Sequence, residues 1–188
     1  MKNYLIVPAL AVISLVACKA KNDAKEEPPI SALSIIKGQL NHLDTSLYQL
    51  TRVETNEDIT DTSNLKREEL AKFAAPFLSL PEIANGNYRD KYDEERLIDA
   101  QQQTLNITST PKPENEDAEI QKQILVIDLA DISNGKVQSI YIDRFLASGD
   151  STIQQKLFWE IDKYFSITDI IQKDNQPDKT HRTLVAWQ

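Results

Sequence analysis

Residues 120–143, IQKQILVIDLADISNGKVQSIYID, decide the fold. Two apolar runs flank Asn134-Gly135, and both of these residues tolerate the positive φ of a type I′ turn. A two-residue turn there pairs Ile132 with Val137, Leu129 with Ile140 and Ile127 with Ile142. Leu125, Ile127, Leu129, Ile140 and Ile142 then share one face, and Val126, Asp128, Tyr141 and Asp143 share the other. One apolar and one mixed face predict an antiparallel hairpin with a single side packed on helices.

The same alternation continues towards the C-terminus. Ile153, Gln155, Leu157, Trp159 and Ile161 alternate, a turn follows at Asp162-Lys163, and Phe165, Ile167 and Ile171 extend the pattern. Residues 175–178 (NQPD) make the next turn and residues 183–187 (TLVAW) the last strand. Upstream, residues 104–110 read as a strand joined to residues 120–130 by a proline- and acid-rich loop.

In the N-terminal half, Leu33, Ile36, Leu40 and Leu43 recur at helical steps behind Ser31, a good N-cap residue. Leu70, Phe73, Ala74 and Phe77 predict a second helix over residues 66–78, ended early or kinked by Pro76. Residues 47–53 suit a first strand, and residues 54–64 read as polar and turn-rich. The expectation is an α+β domain over residues 30–188: an antiparallel meander of five or six strands with two N-terminal helices packed on one face.

Chemistry-bearing patterns are sparse. His42 and His181 are the only two histidines, and neither has a flanking signature; surface or capping roles are the plain reading. No G-x-S-x-G elbow, H-E-x-x-H, paired C-x-x-C or glycine-rich phosphate loop is present, so no catalytic or metal residue is assigned and no cofactor is expected. The run 89–96 (RDKYDEER) interleaves both signs, with Asp90 and Glu94 four apart, and reads as solvated ion pairs on a helix. Neither it nor residues 169–178 meets the EF-hand spacing of a calcium loop. Aromatics gather late, and Tyr141, Phe158 and Trp159 are the binding candidates. Adjacent strand residues point to opposite faces, so one of Phe158 and Trp159 belongs to the core and the other is open to a partner or ligand.

The N-terminus carries an address. Lys2 precedes an apolar run that closes on Leu15-Val16-Ala17-Cys18, too short to span a bilayer comfortably. This resembles the lipobox of bacterial lipoproteins. The resemblance implies a signal peptide over residues 1–17 and cleavage before Cys18. It also implies a diacylglycerol on the Cys18 sulfur and an N-acyl chain, commonly palmitate, on the new amine. Residues 18–29 are then a lipidated cysteine and a flexible tether, charged and proline-terminated. Lys19 after the cysteine favours the outer membrane by the sorting pattern of enterobacterial lipoproteins, and the face of that membrane stays open. Residues 73–78 (FAAPFL) and 156–160 (KLFWE) resemble pieces of a family of small envelope lipoproteins without an assigned activity.

The chain has 21 basic and 29 acidic residues, net −8, and losing Lys2 with the leader makes it −9. Such a body is a poor ligand for nucleic acid, because it lacks the cations that would release counterions. Three functions fit: a non-enzymatic binding or assembly accessory of the cell envelope, with an envelope protein as partner; a carrier for an apolar ligand or lipid; and a hydrolase with an unfamiliar site. A close-packed interior favours the first, and an enclosed apolar cavity the second.

Overall fold

The computed structural model describes residues 29–130 and 136–188. Leu15, Val16, Ala17, Cys18 and the Asn134-Gly135 pair lie outside the described residues. The rest is dominated by one antiparallel sheet: β1 (Leu50–Asn56), β2 (Ile59–Asn64), β3 (Tyr92–Asp99), β4 (Thr104–Pro111), β5 (Ile120–Asp128), β6 (Val137–Ser148), β7 (Ser151–Glu160), β8 (Tyr164–Lys173) and β9 (Lys179–Trp187). Their order in space is β2-β1-β9-β8-β7-β6-β5-β4-β3. The antiparallel meander expected from the sequence is present, with nine strands rather than five or six.

The uncounted strands include both edges. β2 (ITDTSN) is polar, and β3 (YDEERLID) is charged over most of its length. An edge strand exposed on both faces has no reason to alternate, so periodicity misses it. Residues 92–96 belong to this strand and not to a helix, which removes the expected Asp90–Glu94 helical pair. Arg96 Nε instead donates to Glu94 Oε1 at 2.9 Å, two residues away on the same side of the strand.

The central hairpin keeps its faces and changes its register. Leu125 opposes Ile140 and Ile127 opposes Val137, so the expected partners are displaced along the strand. The Leu125–Ile140 pairing differs from the expected Leu129–Ile140 by an even number of residues, which leaves Leu125, Ile127, Ile140 and Ile142 on their predicted face; past the bulge at Val126–Ile127 the shift is odd, and Val137, expected beside Tyr141 on the mixed face, is buried in the core instead. Leu125, Ile127, Ile140 and Ile142 are buried, while Val126, Asp128, Tyr141 and Asp143 are half-buried on the other side. Asp128 explains where the ladder stops. Its carboxylate accepts from the Ala130 backbone N–H at 2.9 Å and from Gln138 Nε2 at 2.9 Å, turning the chain out of the strand.

The first helix, α1 (Ala32–Thr45), starts at Ser31, whose hydroxyl accepts from Ser34 N at 3.0 Å. The second expected helix is broken into a 3-10 turn (Arg67–Glu69), α2 (Leu70–Phe73) and α3 (Ala75–Leu78), with Pro76 in the first turn of α3 where its missing donor costs least. A further single turn, α4 (Gly86–Arg89), precedes β3. Topology explains this cover. The chain leaves β2 at one sheet edge and must reach β3 at the other, roughly 38 Å away for eight flat strand spacings. Residues 65–91 make that crossing over one face and bury it.

Under α1–α3 the packing is dense. Trp159 stacks on Phe165 (centroids 4.8 Å, planes 23° apart), and Phe77 of α3 meets both edge-on at 5.1 and 5.5 Å. Ile36, Leu43, Leu157 and Val185 fill the surroundings and are fully buried.

Candidate functional site

Past the margin of this core, the covered face turns polar. Arg144, Gln155, Asp169, His181 and Asn56 are successive cross-strand neighbours on β6, β7, β8, β9 and β1. Buried Arg144 donates through Nε to Gln155 Oε1 at 2.8 Å, and through one terminal nitrogen to Glu119 at 2.9 Å and to the Ser79 hydroxyl at 3.2 Å. Gln155 Nε2 passes the chain on to Asp169 at 2.6 Å. His181 contacts Asn56 Oδ1 at 2.5 Å through Nδ1 and the Thr183 hydroxyl at 3.2 Å through Nε2. Its ring nitrogens are thus taken up by neutral groups of the sheet. His42 is exposed near the end of α1, edge-on to Tyr48 at 6.1 Å. The structure does not bring the two histidines together, and among the described residues no three His, Cys, Asp or Glu side chains gather as a metal site would require.

The aromatic candidates separate as strand geometry demands. Trp159 is fully buried in the core, so it is removed from the binding candidates. Phe158 and Tyr141 are cross-strand partners on the opposite, helix-free face. Phe158 also lies 5.7 Å from Tyr164, and with Lys156, Ser166 and Arg182 these rings border a shallow hollow. Burial, and then the Asp143 charge, push the Tyr141 phenol above its ordinary range. Half-buried rings in an open hollow are ordinary sheet packing, and beside them only Ser166 is a buried polar residue.

A different place has a stronger claim. A groove of about 460 Å³ lies on the covered face of β3, β4 and β5, where the helical cover thins. Its floor consists of two cross-strand rows. One row is Glu94, Ser109 and Gln123, and the next is Arg96, Ile107 and Leu125. Ile83, Ala84, Arg89 and Asp90 form a wall from the crossover, and Pro29 and Ile30 close another side. Tyr92 and Lys112 line it at the start of β3 and just past β4. Burial first, then the Glu119 charge, raise the Tyr92 phenol, so it stays a neutral hydrogen-bonding group.

Ser109 is only 5% exposed and Gln123 only 7%. Neither side chain makes a hydrogen bond to any described residue. Yet among the described residues only Thr104 Oγ1 and Trp159 Nε1 are sealed from solvent without a partner. The polar ends of Ser109 and Gln123 therefore open into the groove. Neutral, buried and unpartnered donors and acceptors beside apolar Ile107 and Leu125 are the furniture of a binding site.

Sequence reasoning passed over both residues, although a signal existed. In residues 104–110, Leu105 and Ile107 set one face and Ser109 falls on it; in residues 120–130, Leu125 and Ile127 set one face and Gln123 falls on it. Polar interruptions of two apolar alternations, on strands that pair, mark a shared polar spot on a covered face. No protein-family model matches the chain, and no curated protein matches its sequence.

Proposed function

We propose that this chain is a lipid-anchored protein of a bacterial envelope that binds a small polar ligand in the groove over β3–β5, without catalysis. The observation that carries the binding reading is the pair Ser109 and Gln123, whose buried polar ends face the groove with no hydrogen-bond partner among the described residues. The anchor reading rests on Leu15-Val16-Ala17-Cys18 and on the acyl chains such a motif receives, two or three of which hold stably. Outer-membrane placement follows from Lys19 under the same reading.

The two readings meet at Pro29. It lines the groove and stands eleven positions after Cys18, so a fully extended tether reaches at most about 40 Å. The groove then works within that distance of the bilayer, on ligands presented near the membrane or on a neighbouring envelope protein. Carriage of an apolar molecule is disfavoured by the filled space under α1–α3, where Phe77, Trp159 and Phe165 pack ring against ring. A hydrolase is disfavoured by the neutral partners of His181 and the exposed position of His42.

One experiment addresses anchor and site together. Cells expressing the full chain, its Cys18→Ser form or its Gln123→Leu form are fed a labelled fatty acid, and the detergent-extracted proteins are screened by thermal shift against polar small molecules and against a long-chain fatty acid. The expected result is label on all forms but Cys18→Ser, and polar hits that Gln123→Leu abolishes. Label on Cys18→Ser would overturn the anchor, and a groove-dependent shift with the fatty acid alone would overturn the polar site.

A further inference from the structure

The groove's chemistry narrows its ligand, an inference that rests on the binding reading above. The floor row runs from the sheet edge inward as carboxylate, hydroxyl and carboxamide: Glu94, Ser109, Gln123. Neighbouring strands set these groups about 5 Å apart. The outermost charge is matched internally, since Glu94 accepts from Arg96 Nε at 2.9 Å. The inner two are neutral, and each is donor and acceptor at once. Two residues along the strands, the adjacent row presents Ile107 and Leu125, both buried and apolar.

We propose that the inner end of the groove receives a secondary amide, the –CO–NH– group of a short peptide or of an N-acetylated amino sugar. The amide carbonyl accepts from Gln123 Nε2, the amide N–H donates to the Ser109 hydroxyl, and an apolar substituent of the amide rests on Ile107 and Leu125. A carboxylate would be drawn to Arg89, Arg96 and Lys112, which also line the groove, and not to the two neutral groups at its inner end. An aliphatic chain would leave both groups unpaired on binding. A plain polyol satisfies the hydrogen bonds but puts hydroxyls against the aliphatic row. A trans amide turns its carbonyl and its N–H to opposite sides, so Gln123 meets the one and Ser109 the other, and the apolar substituent is left to cover that row.

The test titrates isotope-labelled protein with trialanine and with N-acetylglucosamine, using glucose and acetate as controls, and follows backbone amide signals by NMR. Signals of β4 and β5 around Ser109 and Gln123 are expected to move with at least one amide probe and not with the controls. Gln123→Leu and, separately, Ser109→Ala are expected to weaken that binding by at least about tenfold, with unfolding midpoints at or above that of the unaltered protein. Response to trialanine alone identifies a peptide ligand, and response to N-acetylglucosamine alone an amino sugar. Glucose binding as tightly as N-acetylglucosamine, with both variants impaired, would overturn the amide while leaving the groove as the site. Silence from both amide probes would overturn the amide as well. Amide binding that ignores both substitutions would overturn amide and groove together.

Discussion

Arg144 offers a test of how the polar margin is held. Its side chain is 5% exposed and makes three hydrogen bonds, to Gln155, Glu119 and Ser79. Replacing it with Met keeps most of the stem volume and removes the charge. Glu119, at 39% exposure, and exposed Ser79 regain water at little cost. Gln155 is only 6% exposed and cannot, so its Oε1 is orphaned at about 1–3 kcal/mol. Gln155→Leu alone strands the Arg144 Nε–H and should cost about the same or more. The double variant strands neither atom, and Asp169, half-buried, turns to solvent. Its loss should therefore fall short of the sum of the singles by about 2 kcal/mol. Urea unfolding followed by tryptophan fluorescence measures all three, with an unchanged slope showing that midpoints report stability. Losses that add within about 0.5 kcal/mol would refute the reasoning, because the two side chains would then be energetically independent.

Ser31→Ala should destabilise by about 1 kcal/mol, read from the same urea midpoints, since it removes the cap on Ser34 N and the hydroxyl bond to Glu82 that ties α1 to the crossover. Trp159→Ala should cost about 3–5 kcal/mol and Phe158→Ala clearly less, because only the first ring is enclosed by Phe77, Phe165 and Trp187; similar losses would contradict the assignment of faces. Tyr92 holds its proton more tightly in the folded chain, so above the ordinary phenol value near 10 the unfolded state loses that proton first. The stability it contributes is complete below that pH and falls as pH rises through the folded value; urea midpoints across this range should drop more gently for Tyr92→Phe.

Legibility in the sequence followed burial. β5 through β9 could be read because each has one face in the core, and the period of two survives an even slip in register: the Asn134-Gly135 reading misplaced the partners of Ile140 and still put Leu125, Ile127, Ile140 and Ile142 on their observed side, while Val137, beyond a bulge, fell on the wrong one. β3 could not be read because its residues pack against nothing on its outer edge, and RDKYDEER suits a solvated helix as well as an edge strand. The same ambiguity hid the groove, since Glu94 and Arg96 were read off the wrong period. Trp159 and Phe158 were correctly separated as a pair, but which one faced the core depends on the phase of β7 against α3, information carried by Phe77 far away in the chain. The site was the least legible part. Ser109 and Gln123 are single polar letters in apolar strands, and only the β4–β5 register makes them neighbours.

That register also explains why the groove lies where it does. The crossover from β2 to β3 spends its apolar residues early: Leu70, Ala74 and Phe77 are buried, Phe77 against Trp159 of β7 and Phe165 of β8, and Leu80 and Ile83 are its last buried aliphatics before the polar turn at Asn85-Gly86. Beyond Ile83 the chain bridges to the far edge with short, polar segments, so the covered faces of β3 and β4 meet Arg89 and Asp90 at the end of the single turn α4 instead of a long apolar helix. Strands under such a cover have two stable solutions. They can present charged side chains to water, as Glu94 and Arg96 do at the rim. They can also close on apolar residues, as Ile107 and Leu125 do deeper in. Ser109 and Gln123 fit neither. An alanine and a leucine at those positions would extend the core by one row at no hydrogen-bonding cost. The described residues supply no partner for a hydroxyl and a carboxamide there, and the proposed ligand would.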